Sequence, residues 1–158
     1  MSELEQPSPL LELVAGTIGL IVVIFVHGVG MRLINRHFSD AWVRVTPTTA
    51  YWRVNLLLVL VIGALAVMHL LETLMWAGPL HSLGVIPSLR DSYYYVLESY
   101  TTLGEGDVSL PDPWRLVGPI IAMSGLFTFG WTASVLVSIM TEFGRLDRAR
   151  AEVRKRRE

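Results

Sequence analysis

Three long apolar runs dominate the chain, and polar residues collect in short segments between them. The first run, "LLELVAGTIGLIVVIFVHGVGMRLI", covers Leu10 to Ile34. The second, "VNLLLVLVIGALAVMHLLETLMWA", covers Val54 to Ala77, and the third, "WRLVGPIIAMSGLFTFGWTASVLVSIM", covers Trp114 to Met140. Each exceeds the roughly 20 helical residues that cross a hydrocarbon layer about 30 Å thick. Ser8-Pro9 predicts the first helix start, with serine as N-cap and proline in the first turn. Asp112-Pro113 predicts the third start in the same way, and the length of that run predicts a tilt. Acidic leading residues (Glu3, Glu5) and a long apolar stretch make the first run a span rather than a cleaved signal.

Between the second and third runs the pattern changes. Ser88-Leu-Arg-Asp91 has the spacing of a capping box and opens the stretch "LRDSYYYVLESY". Twelve helical residues reach about 18 Å, roughly half a bilayer. The polar peptide "SYTTLGEGD" follows, and "SLPDP" leads back to the third run. A helix that enters and a loop that leaves predict a re-entrant segment. The expected fold is therefore all-α and integral to the membrane, with three transmembrane helices, a re-entrant helix and a loop. The expected organisation is a peripheral first helix with a basic loop (1–53), a central module (54–141) and a basic tail (142–158). Within the module, helices are expected over 54–77, 89–100 and 114–141, with the loop over 101–107.

Composition narrows the class. Of 158 residues, 52% are hydrophobic and only 17% charged, poorer in charge than a soluble domain. With no cysteine, disulfides and thiolate metal sites are excluded. The net charge of −1 conceals a segregation of signs. Arg32, Arg36, Arg44 and Arg53 lie in the first loop and seven basic residues in the tail, whereas the N-terminus has none. By the excess of positive charge on cytoplasmic loops, the N-terminus is expected outside and the C-terminus in the cytoplasm of a cell (plasma or inner) membrane. Trp42, Tyr51, Trp52, Trp76 and Trp114 read as interfacial anchors. The tail is expected to be a charged helix, too short for a ligand-binding gating domain, that meets water or anionic lipid. No arginine series marks a voltage sensor. No nucleophile elbow, phosphate loop or paired His–carboxylate zinc motif is present, so an enzyme is not expected, nor a nucleic-acid partner.

The polar peptide then carries the chemistry. Irregular backbone at membrane depth is tolerated when it is buried in protein or lines a watery path. Gly104 and Gly106 permit backbone angles that turn successive carbonyls to one side. A row of carbonyls replaces the hydration shell of a cation. The short helix presents its partially negative C-terminal end to the same place, and Asp91 complements its N-terminal end.

"TTLGEGD" resembles the selectivity-filter signature of potassium channels, usually T-T-V-G-Y-G-D. The flanks, "HLLETLMWAG", "SYYYVLESYTTLGEGDVSLPDPWRLVG" and "SGLFTFGWTAS", resemble the outer helix, pore helix and inner helix of small bacterial channels. The resemblance covers about Met68 to Met140 and leaves the first span outside. It implies a homotetramer around one pore, no organic cofactor, no small-molecule substrate other than ions, and bound K+ (or Na+ or Ca2+) in the filter. By position it implies ion-binding oxygens from Thr101, Thr102, Leu103, Gly104 and Glu105, with Gly106 permitting the outer turn. Metal ligation falls to Thr102, Leu103, Gly104 and Glu105. Glu98 and Asp107 correspond to carboxylates that pair behind the filter in some members, and Tyr94 and Tyr95 supply support. Gly125 and Gly130 correspond to inner-helix glycines that bend at a gate, or serve close helix packing.

Glu105 departs from the family, which has an aromatic brace there. Two unit charges about 8 Å apart at an effective dielectric near 20 repel by roughly 2 kcal/mol. A ring of such carboxyls stays partly protonated or turns toward a cation, leaving two alternatives to a potassium channel: a non-selective or divalent-permeable pore, and a non-conducting scaffold or accessory subunit. Conduction is expected to depend on external pH. His69 and Glu72, three apart on one helix face, form a candidate pH-sensing pair near the outer end of their span. His27 is expected near the inner end of the first span, and Glu12 at the membrane interface.

Overall fold

A computed structural model describes residues 9–104 and 106–156, and these form helices and connecting turns with no strand among them. Helix α1 spans Pro9–Trp42, α2 Tyr51–Ser82, α3 Leu89–Tyr100 and α4 Val117–Lys155. Three of these are long and apolar enough to cross a membrane. Pro9 is the first helical residue, as its missing N–H favours, while Ser8 and its expected capping role lie outside the described residues. The packing forms two compact units, one within Met1–Gly28 and Met68–Phe129, the other within Val29–Val67 and Gly130–Glu158.

Helix ends follow local chemistry. α2 runs five residues past the expected Ala77, through Pro79, to Ser82. It stops where Gly84 adopts φ 71°. The Val85 amide reaches the Leu80 carbonyl and the Gly84 amide the His81 carbonyl, both at 3.0 Å. These two bonds satisfy carbonyls that the helix end leaves open. α3 begins as its S-x-x-D spacing predicts, with the Ser88 hydroxyl accepting the Asp91 amide at 3.3 Å. The third apolar run begins differently from expectation. Asp112 is not the cap of α4 but lies in a 3-10 turn, Asp112–Trp114, and pairs with Arg115 at 3.1 Å in solvent. α4 starts at Val117, and Pro119 falls in its first turn, where no N–H is needed. It continues through the charged tail to Lys155, so the tail is a helix continuous with the span.

The first unit is built on close approach. Side chains gain no hydrophobic drive from leaving lipid, so contact and polar bonds hold such helices together. A methyl group on Gly16 would collide with Ile120, and one on Gly19 with the Trp76 ring. Glu12, expected at the interface, is instead buried and accepts the Leu116 amide at 3.1 Å, just ahead of α4. A carboxylate is favoured at a helix N-terminus. Trp76 is likewise no lipid-facing anchor: it is buried and donates to the Ser124 hydroxyl at 3.0 Å. Val96, Tyr100, Ala77, Leu80 and Ile121 complete this core. α1 therefore contributes residues 9–28 to the same unit as α3.

The second unit is simpler. Phe38, Trp42 and Phe143 stack, with ring centroids 4.7 to 6.3 Å apart. Arg150 lies 4.1 Å over the Tyr51 ring and donates to the Thr49 carbonyl at 2.6 Å. Tyr51 and Trp52 are exposed.

Candidate functional site

The site starts with how α3 is held. Ser92, Val96 and Tyr100 recur every four residues and are all buried, so one face of this short helix is fixed. The Ser92 hydroxyl donates to the Ala77 carbonyl at 2.9 Å, anchoring α3 to the C-terminal end of α2. At its other end the Leu103 amide bonds the Glu98 carbonyl at 2.9 Å and the Thr102 amide bonds the Ser99 carbonyl at 3.0 Å. This is the same terminating pair seen after α2, yet the left-handed position is held by threonine, at φ 60°, not glycine. A β-branched residue there carries about 1 kcal/mol of strain, and such strain clusters at functional sites. Gly104 follows at φ 66°. Two left-handed residues so close together turn the backbone sharply just beyond the negative end of the α3 dipole.

The expected site residues divide clearly. The Thr101 hydroxyl turns back to the Leu97 carbonyl at 2.7 Å. Thr102, Leu103 and Gly104 are exposed along the loop. Glu105 lies outside the described residues. Glu98 is buried, with its Oε1 lacking a hydrogen bond and its carboxylate against Gly106, where any side chain would collide. Asp107 is exposed, and no hydrogen bond between it and Glu98 is seen. Tyr95 places its hydroxyl beside Gly118, whereas Tyr94 is exposed. A cavity of about 300 Å³ opens beside the loop, touched by Glu98, Thr102, Gly106 and Gly118.

Behind Tyr100 lies a polar cluster. The Tyr100 hydroxyl donates to Glu72 Oε2 at 2.6 Å, and Thr128 Oγ1 lies 2.5 Å from the same hydroxyl. Glu72 Oε1 meets His27 Nδ1 at 2.8 Å, and His69 Nδ1 lies 3.0 Å from the Tyr100 hydroxyl. His27 and Glu72, read as lying toward opposite ends of their spans, are thus in direct contact. The extension of α2 to Ser82 accounts for part of this, since it sets Glu72 ten residues, about 15 Å, below the helix end. Tyr100 and Thr128 went unnoticed in the sequence, where a tyrosine ending the short helix and a threonine in an apolar run carry no distinguishing spacing. The available signal was His27 itself, an ionisable residue in a span that needs a partner. Gly125 packs directly on the Tyr100 carbonyl, while a side chain at Gly130 would meet open space.

A family model described as "Ion channel" matches residues 56–142, more than half of the chain and all of α3 and the TTLG loop. The chain belongs to this potassium-channel-like ion channel family. No curated protein and no solved structure gave a match. Ion channel activity in a multi-pass membrane protein follows from the family and from the three apolar helices. The matched region excludes α1, so the contacts of Glu12, Gly16, Gly19 and His27 are additions to the channel family's shared module.

Proposed function

We propose that this ion channel is a homotetramer in the cell membrane that passes potassium through a central filter made of residues 101–107 from each chain. In this reading α3 is the re-entrant pore helix, and its N-terminal cap faces outside with the N-terminus of the chain. The C-terminal tail is cytoplasmic. Carbonyls of Thr102, Leu103, Gly104 and Glu105, with the Thr102 hydroxyl, take the place of the ion's water shell. The observation that carries the reading is the left-handed pair, Thr102 and Gly104, at the end of a helix anchored at both termini. Such backbone angles aim neighbouring carbonyls, and the strained threonine marks the position as one held for function. Membrane lipid covers the exposed apolar faces, including Phe25 and Val59.

A second reading keeps the pore and changes the ion. Glu105 stands where the family has an aromatic brace, and a ring of carboxyls favours divalent cations. Reversal potentials of the purified protein in planar bilayers, under potassium, sodium and calcium gradients, separate the two. Strong potassium preference, little changed in Glu105→Tyr, supports the first reading. Calcium permeation that disappears in Glu105→Tyr supports the second. Tetramers without flux in liposomes would overturn both and leave a scaffold.

A further inference from the structure

We propose that His27, His69 and Glu72 form a binding site for a divalent transition metal, zinc by its chemistry, which staples α1 to α2 at the root of α3. Three ligand atoms, one from each residue, all lie within 4.8 Å of one another. Zinc bonds to nitrogen and oxygen at about 2.0–2.2 Å, so the ligand atoms of a tetrahedral site lie roughly 3.3 Å apart. The pairs His27 Nδ1–Glu72 Oε1 and His69 Nδ1–Glu72 Oε2 measure 2.8 and 3.5 Å and bracket that spacing. One ring nitrogen of each histidine and one oxygen of Glu72 complete the set within the same 4.8 Å.

The donor set fits the ion. Two imidazoles with one carboxylate are ligands for zinc, and imidazole also suits copper and nickel, whereas calcium and magnesium demand oxygen. Each ring coordinates through Nδ1 as its neutral Nε2–H tautomer, so neither neutral ring loses a proton. The Tyr100 hydroxyl, donating to Glu72 Oε2 at 2.6 Å, stands as the outer hydrogen-bond partner that orients the carboxylate, and its 3.0 Å approach to His69 Nδ1 is given up when that nitrogen takes the metal. The Phe129 ring stacks on His69 at 4.4 Å and fixes its plane. Entry is through His69, whose side chain keeps 12% exposure while Glu72 keeps 1% and His27 none. Two ligands come from α2, inside the family match, and one from α1, outside it. The site is therefore distinct from the filter, and its test is independent of which ion the pore passes.

The test uses full-length, tag-free protein in detergent, dialysed against zinc, with bound metal counted and its X-ray absorption spectrum recorded. The expected result is one zinc per chain with imidazole scattering in the spectrum. His27→Gln and His69→Gln should each weaken binding at least about 100-fold, and Tyr100→Phe about tenfold, as loss of an outer partner does. His81→Gln, outside the cluster, should bind as the native chain does. If the His27 and His69 variants do not fold, native stoichiometry and spectrum still decide. Less than one zinc per folded chain, a spectrum without imidazole, or unchanged binding in the His27→Gln/His69→Gln double variant would overturn the site. The cluster would then be a hydrogen-bond network only.

Discussion

The two units of the chain bury different things. The first hides His27, Glu72, Thr73, Ser92, Ser124 and Thr128 among its apolar side chains. The second buries Val54, Val61, Leu65, Ile139 and Phe143 and keeps its ion pairs at or near the surface. Polar groups in a low-dielectric interior are costly to strand and directional when satisfied. The first unit is therefore held in one arrangement, and it contains the α3 end and its loop. The second rests on aromatic stacking and near-surface pairs, which lose less when rearranged. Directional contacts are concentrated in the unit that carries the loop proposed as the filter.

The sharpest way to break the contrast is Glu72→Leu. It removes the carboxylate that both His27 and Tyr100 meet, and removal of one partner from a buried charged network costs about 3 kcal/mol or more. A large drop in the thermal midpoint of the detergent-solubilised protein is expected, and an unchanged midpoint would remove the basis for the comparison. Gly125→Ala comes next. Its added methyl meets the Tyr100 carbonyl, backbone rather than flexible side chain, so overpacking by about 2 kcal/mol is expected in the same melt.

Thr102→Gly should act in the opposite direction. Relief of the left-handed threonine stabilises by up to about 1 kcal/mol, less what glycine's extra freedom takes back. The proposed filter predicts that potassium selectivity falls at the same time, read as a shifted reversal potential. Gly130→Ala, in the second unit, meets nothing and should stabilise α4 by about 0.5–1 kcal/mol. A bending role for Gly130 predicts that this gain comes with fewer openings in single-channel records. The smallest effect belongs to Arg145→Ala. Its pair with Glu142 is solvent-exposed, and a change below about 0.5 kcal/mol is expected.

Much of the architecture is legible in the order of residues. Apolar run length specifies three spans, and S-x-x-D marks the start of α3 at Ser88. T-T-L-G-E-G-D identifies the loop that the family match later includes. These signals are local: each depends on neighbours within a turn or two, so a linear reading suffices. Asp112 misled because a 3-10 turn and an α-helix share the same opening residues. Trp76 misled because an indole N–H donates equally well to an interfacial water or to the Ser124 hydroxyl.

Contacts between distant residues followed another logic. His27 and Glu72 are 45 positions apart, and Tyr100 and Thr128 are 28 apart. No periodicity links them, because their meeting depends on the depth and rotation of separate helices. Those are set by the collisions that Gly16, Gly19 and Gly125 avoid and by where each helix ends. The chain's own pattern was enough to say that it crosses a membrane and carries a filter-like loop. Tertiary packing decided that α1 is part of the unit holding that loop, since burying one histidine required a carboxylate from another helix to satisfy it.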